Sequence, residues 1–541
     1  MGLCRRRRTL FRYTDRQDLI LASKTADEVA NPPDCERFRL RNFVEALIEN
    51  DQVEIHDQPV PLTALAGHLD GNEKAVLFRK AGPEQAEIVG NILGNGARIG
   101  AAFGMARADV PAEINRRIAE PQPVIEMPSS SAPVHEIVLT GDDADLTRLP
   151  VHLQHAMDGG PYISASVDYT CDPETGLTNV GIRRMMLRGP KEAGVDMTAP
   201  SDLQAIYRKQ QARGEKLPVS YVVGSHPIDI LSASLRLPGD ELGLLAALRG
   251  APLAVVKGVA NGIMVPADAE MVLEGYFDSA GWAEEEGPFG EFLGYYGVMK
   301  QNPVFHLTAI TKRRDALFQT VTISGSSVAN TDTANIGTIL TEVGAWDALR
   351  SAVREPVAIS ATGASGGLFN VRAAIRQRVP GEARNAISAL LGSVADIKHV
   401  FIVDDDVDVT SDAQLDWALA TRFQADRDLI VQKGFRVIPL DPSLEHERTG
   451  AKAGFDLTLP FGKRDQIDRT VSRPPAFDQT PARFQTVEDA LADGKKSFGE
   501  LIADLGSDDG REVVRALDII RTIGRLSRDS DGRYQLAASA P

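Results

Sequence analysis

Between Val134 and Ser324 the chain is written as short runs rich in β-branched and aromatic residues, broken by turns. Examples are SASVDYTC (164–171), SYVVGS (220–225), LAVVKGV (253–259), AEMVLEGYF (269–277), VFHLTAITKR (304–313) and LFQTVTISG (317–325). Many short strands at uneven spacing predict a barrel or a sandwich. One helix is predicted to interrupt them, over 201–216, with Ser201 as its N-cap. From about Thr333 the pattern turns to α/β. TILTEVGAWDALRSAV reads as a helix, a second helix is expected around Arg372 to Leu391, HVFIVDDDVDV reads as a buried strand, and FRVIPLD closes the unit as a strand. SDAQLDWALATRF opens on a Ser411-x-x-Gln414 capping box.

Ahead of the β-rich region, RLRNFVEALIEND (39–51) carries Leu40, Phe43, Leu47 and Ile48 at helical spacing, and AVLFRKAG reads as a strand. Behind the α/β region comes a polar linker and then short helices followed by a hairpin, the order of a small winged-helix module. Its charge is mixed, which favours packing or protein contact over DNA binding. The predicted organisation is an N-terminal arm (1–37), an N-terminal α/β region (38–125), a split β-barrel (126–330), a C-terminal α/β domain (331–465), a linker (466–485) and the winged-helix-like tail (486–541).

Several functions are excluded by what is missing. With 59 Lys+Arg against 75 Asp+Glu, the net charge of −16 opposes generic nucleic-acid binding. The three cysteines, Cys4, Cys35 and Cys171, are too few for a disulfide framework, so a reducing cytoplasm is expected. No run reaches the roughly 18 apolar residues of a membrane span. The basic start MGLCRRRRTLF reads as a solvated tail or a mis-chosen start rather than a signal peptide. GNGARIG (94–100) is not a dinucleotide fingerprint and reads as a turn with close packing. Asp404, Asp406 and Asp408 alternate, but Val409 and Leu415 stand where a calcium loop needs Gly and Glu. ATGASGGLF (361–369) is read as a loop, and His152 and His155 as structural or substrate-loop residues.

Two segments carry chemistry. In EEEGPFGEF, Glu286 and Glu291 flank Gly-Pro-Phe-Gly, a tight bend able to fold two carboxylates toward one spot. Crowded carboxylates do not both ionise cheaply, so one is expected to hold a proton and act as a general acid. A solvated acidic loop is the alternative. TNVGIRRMMLRG (178–189) offers the cation: in an extended run Asn179, Gly181 and Arg183 share one face while Arg184 points to the other, where it needs a carboxylate.

These residues, TNVGIRR, RLPGDELGLLAALRG and VPADAEMVLEG with EEGPFGEFLGYYG, resemble the UbiD family of reversible decarboxylases that use prenylated flavin mononucleotide. DGGPYI before them and HVFIVDDDVDV…LATRFQADRD after them extend the resemblance over about 38–465. It implies a Glu–Arg–Glu network at Glu286, Arg184 and Glu291, with Glu291 as proton donor. It implies metal ligation by Asn179 and Glu241, holding Mn²⁺ or Mg²⁺ against the cofactor phosphate, with K⁺ as a further expected ion. Ile182, Arg183 and Arg184 are expected to lie along the flavin. The family's metal-ligating His is missing here, and Asp196, Thr198, Ser201 or water are its expected substitutes. The implied function is non-oxidative decarboxylation of an aromatic or heteroaromatic carboxylate, releasing CO₂, by a cytoplasmic homodimer or homohexamer supplied with cofactor by a flavin prenyltransferase. Losing CO₂ from an sp² carbon leaves a carbanion that side chains alone do not stabilise, which is why such chemistry needs a cofactor. The alternatives are a split-barrel FMN oxidoreductase and a non-catalytic scaffold or regulator acting through the tail.

Overall fold

Six strands rich in Val, Ile, Tyr and Thr close on themselves. In the computed structural model their order around the ring is Met271–Phe277, Leu217–Val223, Tyr162–Cys171, Thr178–Leu187, Glu192–Val195 and Val304–Lys312, and the last pairs back with the first. Ile137–Thr140 adds to the outer edge of Val304–Lys312. The predicted barrel is therefore present. The structure describes residues 24–25, 33–445, 448–463 and 481–537, with a few isolated positions between 464 and 480. The basic start and most of the linker lie outside the described residues.

The chain forms two compact units, residues 1–458 and 459–541. Within the first, a four-stranded sheet (Val53–His56, Ala75–Ala81, Ala86–Gly90, Phe318–Thr320) and a second one (Lys24–Thr25, Val124–Glu126, Leu253–Lys257, Met264–Pro266) flank the barrel. Two runs expected among the barrel-type strands thus go elsewhere. LAVVKGV pairs in parallel with Val124–Glu126. LFQTVTISG keeps only Phe318–Thr320 as strand, parallel to Ala86–Gly90. Period-2 patterning specifies a strand but not its sheet, and here parallel partners from distant sequence capture both.

The C-terminal region of this unit is a five-stranded sheet with Asp332–Ala352 and Glu382–Ser393 packed on it. The helix expected around Arg372 begins only at Glu382. Arg372 lies on the strand Asn370–Ile375, whose buried Val371, Ala373 and Ile375 alternate toward the core. FRVIPLD is not the closing strand either. Leu429–Arg436 pairs with Thr449–Asp456, which takes that place. Ser411 caps Asp412–Arg422, its hydroxyl accepting from Gln414 N, but the Gln414 side chain accepts from Asp408 N and leaves the box half made. Asp404 and Asp406 pair with Arg422. GNGARIG is not a turn. It opens the helix Gly96–Phe103, capped by Asn95, and Gly100 is needed because a Cβ there would meet Met105 O at 2.6 Å.

The second unit carries the predicted order: Val487–Asp493, Phe498–Asp504, Arg511–Thr522, then the hairpin Leu526–Arg528 and Tyr534–Leu536. Among the described residues no helix is long and apolar enough to cross a membrane.

One ion-pair cluster fixes the helix Glu241–Arg249, which sits over Thr178–Leu187. Its last residue, Arg249, is buried and donates to both Asp229 oxygens at 2.8 and 2.5 Å and to Asp268 at 2.7 Å. Removing the cation leaves two carboxylates buried together without a partner. Arg249→Ala is expected to cost about 3–5 kcal/mol, read as a lower denaturant midpoint at unchanged slope, with Arg249→Met costing as much for the same reason.

Candidate active site

The site begins with strand alternation. On Thr178–Leu187, Asn179 and Arg183 turn to the same buried carboxylate, Asp168 on the neighbouring strand, while Arg184 turns away. Arg184 then meets the bend that follows Glu284–Glu286. Its Nε and Nη2 donate to Glu286 Oε1 and Oε2 at 3.0 and 3.4 Å, and its Nη1 donates to Glu291 at 3.1 and 3.2 Å. Glu286, Arg184 and Glu291 therefore meet, although more than a hundred residues separate the arginine from the acids. Gly287 takes φ +97°, the left-handed region that a side chain disfavours, and so lets the bend reverse.

Five further side chains join them. Asp196, next after the strand Glu192–Val195 that pairs beside Arg184, lies 3.0 Å from Nη2. Lys300, opposite Glu286 on the strand Lys300–Asn302, reaches Asp196 at 3.2 Å and Glu291 at 3.8 Å. Tyr162 and Asn302 donate to Glu286 at 2.9 and 3.2 Å. The Phe289 ring underlies the guanidinium at 4.4 Å. Of these, the sequence analysis had named only Asp196, as one of four expected substitutes for the absent His; here it pairs with Arg184 and Lys300.

The acids titrate in opposite directions. Burial pushes Asp196 up, but Arg184 and Lys300 outweigh it and hold it at about 2. Burial pushes Glu291 up as well, and there it wins over Arg184 and Lys300, with Asp196 adding to the rise. Glu291 thus keeps its proton above the usual range. The sequence analysis expected a protonated acid here but assigned the cause to its neighbour across the bend; the causes are burial first and then Asp196. Arg184 itself loses to burial but gains more from Glu291, Glu286 and Asp196, and stays charged.

Behind this network opens a cavity of about 850 Å³, lined by Asn179, Ile182, Arg183, Glu241, Arg236 and Phe292 among others. A smaller one of about 200 Å³ joins Ile182 and Arg183 to Arg184 and Asp196. The larger is within the range of small-molecule and cofactor sites. Glu241 is the first residue of Glu241–Arg249 and accepts from Val180 N, while Asp240 caps the helix and accepts from Thr178 N at 2.9 Å. The strand and the helix start are thus tied together, bringing Asn179 and Glu241 to one cavity. Burial pushes Glu241 up to about 7, against the Val180 N–H, and Glu241 makes no ion pair with any described residue. A buried carboxylate without a cation, beside an amide whose Nδ2 points at Asp168, fits a hard divalent ion. Of the expected substitutes for the absent His, Ser201 lines this cavity but its hydroxyl caps Asp202–Arg213, and the Thr198 hydroxyl is donated to Asp196. Asp202, which faces the same cavity and raises Glu241, was not singled out from the sequence.

His152 is buried and burial lowers it to about 4. His155 pairs with Asp158, whose carboxylate also accepts from Gly290 N at 2.9 Å, so this loop buttresses the bend.

Comparison with known proteins shows the family. Residues 126–327 match the 3-octaprenyl-4-hydroxybenzoate carboxy-lyase Rift-related domain and residues 334–457 the C-terminal domain of the same enzyme. An anhydromevalonate phosphate decarboxylase of Methanosarcina mazei is 29% identical over 80% of this chain and 98% of its own. That of Aeropyrum pernix is 35% identical over 58% of this chain and 70% of its own. The UbiD-class enzyme HmfF from Pelotomaculum thermopropionicum, solved in complex with FMN, superposes with a TM-score of 0.75 at 30% identity, covering 80% of this chain and 97% of that one. The apo 3,4-dihydroxybenzoic acid decarboxylase of Enterobacter cloacae gives 0.74 at 25% identity, over 82% and 98%. With its closed barrel, its C-terminal sheet and these relatives, the chain belongs to the UbiD family and is a carboxy-lyase.

Proposed function

We propose that this carboxy-lyase removes CO₂ reversibly from an aromatic or heteroaromatic carboxylic acid with prenylated FMN, and that Glu291 is its proton donor. The observation that carries the reading is the single guanidinium of Arg184 holding Glu286 and Glu291 and lining the smaller cavity, which shares Ile182, Arg183 and Arg236 with the large one. Solved relatives with FMN and with prenylated FMN support the cofactor. Ile182, Arg183 and Arg184 would line its cavity, and Asn179 and Glu241 would hold Mn²⁺ or Mg²⁺. When bound, the modified flavin supplies the electron sink that the carbanion requires.

The residues do the rest. Three acids and two cations leave one negative charge too many in the network, and a proton on Glu291 cancels it. The substrate carboxylate can then take the place of that third anion beside Arg184, which orients it while Phe289 shields one face of the guanidinium. As CO₂ leaves, the Glu291 proton goes to the vacated carbon. Glu291 is left as a carboxylate, balanced by Arg184 and Lys300 until it is reprotonated from solvent. Glu286, held by Tyr162 and Asn302, keeps the guanidinium in place throughout. The cytoplasmic homo-oligomer, the role of residues 331–465 in forming it and the flavin prenyltransferase as supplier belong to the same proposal.

A second reading of the substrate is favoured by the names of the Methanosarcina and Aeropyrum relatives, which specify a phosphorylated acid. Arg236 lines both cavities and has no acidic partner among the described residues, so it suits a phosphate. Chain co-expressed with a flavin prenyltransferase, characterised by absorption spectrum and cofactor mass, then screened against aromatic and phosphorylated acids for CO₂ release, decides between the two. A chain that binds flavin yet oxidises NAD(P)H would favour the oxidoreductase instead.

Glu291→Gln is expected to lower turnover by about 10²–10⁴-fold while the flavin spectrum is retained. Near-normal decarboxylation and H/D exchange in that variant would remove Glu291 from the role.

The pH profile has a fixed sign. The active form is protonated Glu291, whose pKa is raised by burial, so activity holds below that pKa and falls as pH rises through it. In Asp196→Asn the acid that helps raise it is gone, and the alkaline limb is expected to move to lower pH.

Chelation followed by dialysis is expected to lower flavin retention, restored by Mn²⁺ or Mg²⁺ in the parent chain but not in Glu241→Gln. Flavin content measured by absorption checks it.

A further inference from the structure

The four-stranded N-terminal sheet ends on the edge strand Val53–His56, parallel to Ala75–Ala81. Period-2 alternation places Glu54 and His56 on one face. The short helix Leu65–Leu69 packs over that face through buried Leu65 and Leu69, and brings His68 down beside them. One ligand atom from each of Glu54, His56 and His68 lies within 4.8 Å of the other two.

The local chemistry is that of a prepared site rather than a chance pair. His56 Nε2 is buried and lies 2.8 Å from Glu54 Oε1, so an imidazole nitrogen and a carboxylate oxygen already face one another. Tetrahedral metal bonds of about 2.0–2.2 Å set neighbouring ligand atoms about 3.3–3.6 Å apart, so the pair has only to open slightly to admit an ion. The second oxygen of Glu54 is held by Asn72 Nδ2 at 2.9 Å, and Asn72 also donates to His68 O at 3.2 Å, so one side chain orients two of the three groups. Phe78 closes the floor: His56 stacks on it at 5.1 Å and 18°, and His68 meets it edge-on at 5.8 Å. Glu54 and His68 face solvent, which leaves an entry path and a coordination position for water.

We propose that Glu54, His56 and His68 bind a divalent transition-metal ion of the zinc class. Two imidazoles and one carboxylate plus water form a four-coordinate set suited to Zn²⁺, and the nitrogen donors select against Mg²⁺ and Mn²⁺. The site is separate from the oxygen donors Asn179 and Glu241, and the proposal does not rest on the reading of the active site. It has a mechanical consequence. Ala66, Gly67 and Leu69 of the same helix wall a cavity of about 330 Å³ that also contains His152, Gln154 and His155. A bound ion ties that helix to the edge strand and holds the wall in place.

The test uses the full chain, stripped with chelator and without flavin, titrated with Zn²⁺ by calorimetry and with Co²⁺ by visible absorption. The expected result is one Zn²⁺ equivalent not displaced by excess Mg²⁺, a tetrahedral Co²⁺ band, and a rise in melting temperature with Zn²⁺. His68→Ala is exposed enough to fold normally, which circular dichroism checks. It should lose the band and the melting shift and weaken Zn²⁺ at least about tenfold, with Asn72→Ala weakening it by about tenfold. Glu241→Gln should bind this Zn²⁺ as the parent does. No Zn²⁺ binding by the parent chain at millimolar concentration, or binding unchanged in folded His68→Ala, overturns the proposal.

Discussion

A single guanidinium in a dry place governs this molecule. Arg184 is mostly buried, and burial alone makes a charged group untenable unless opposite charge is brought to it. Three carboxylates answer that requirement, from the end of the adjacent barrel strand and from both sides of the 286–291 bend. Each is itself buried and would be untenable without the arginine. The barrel, the bend and the strand carrying Lys300 are thus committed to one mutual arrangement. Misplacing any one of them strands a charge.

The same balance generates the chemistry. Arg184 and Lys300 are shared unequally among the acids. Asp196 touches both and lies far below the ordinary carboxylate range, whereas Glu291 is carried above it by burial. One network therefore contains one acid held below the ordinary range and one carried above it. On the far side of the strand, Glu241 has the opposite problem: a half-buried carboxylate with no ion pair to any described residue, which burial pushes up. Alternation along Thr178–Leu187 separates the two problems, one to each face, and the large cavity opens on the Asn179 and Glu241 side.

Much of this was legible residue by residue. The bend was readable because Gly and Pro restrict backbone geometry locally, and the two faces of Thr178–Leu187 because side chains alternate with a period of two. Asp196, Lys300, Tyr162 and Asn302 were not readable as partners of the network. Their placement depends on which strands pair, and pairing is a long-range choice. The same reason sent Leu253–Lys257 and Phe318–Thr320 to other sheets. The helix at Gly96 was missed because glycine-rich spacing resembles a turn until the Asn95 cap and the close approach at Gly100 are seen.

By itself the amino-acid sequence determined the element types, the alternation, the capping residues and the three blocks whose order marks the family, because these depend on neighbours within a few positions. The tertiary structure alone decided which carboxylate is carried above the ordinary range, which acids pair with the arginine, and that two histidines and a glutamate gather over Phe78. Those outcomes depend on burial and on distances between residues far apart in the chain, and neither quantity exists until the strands have paired.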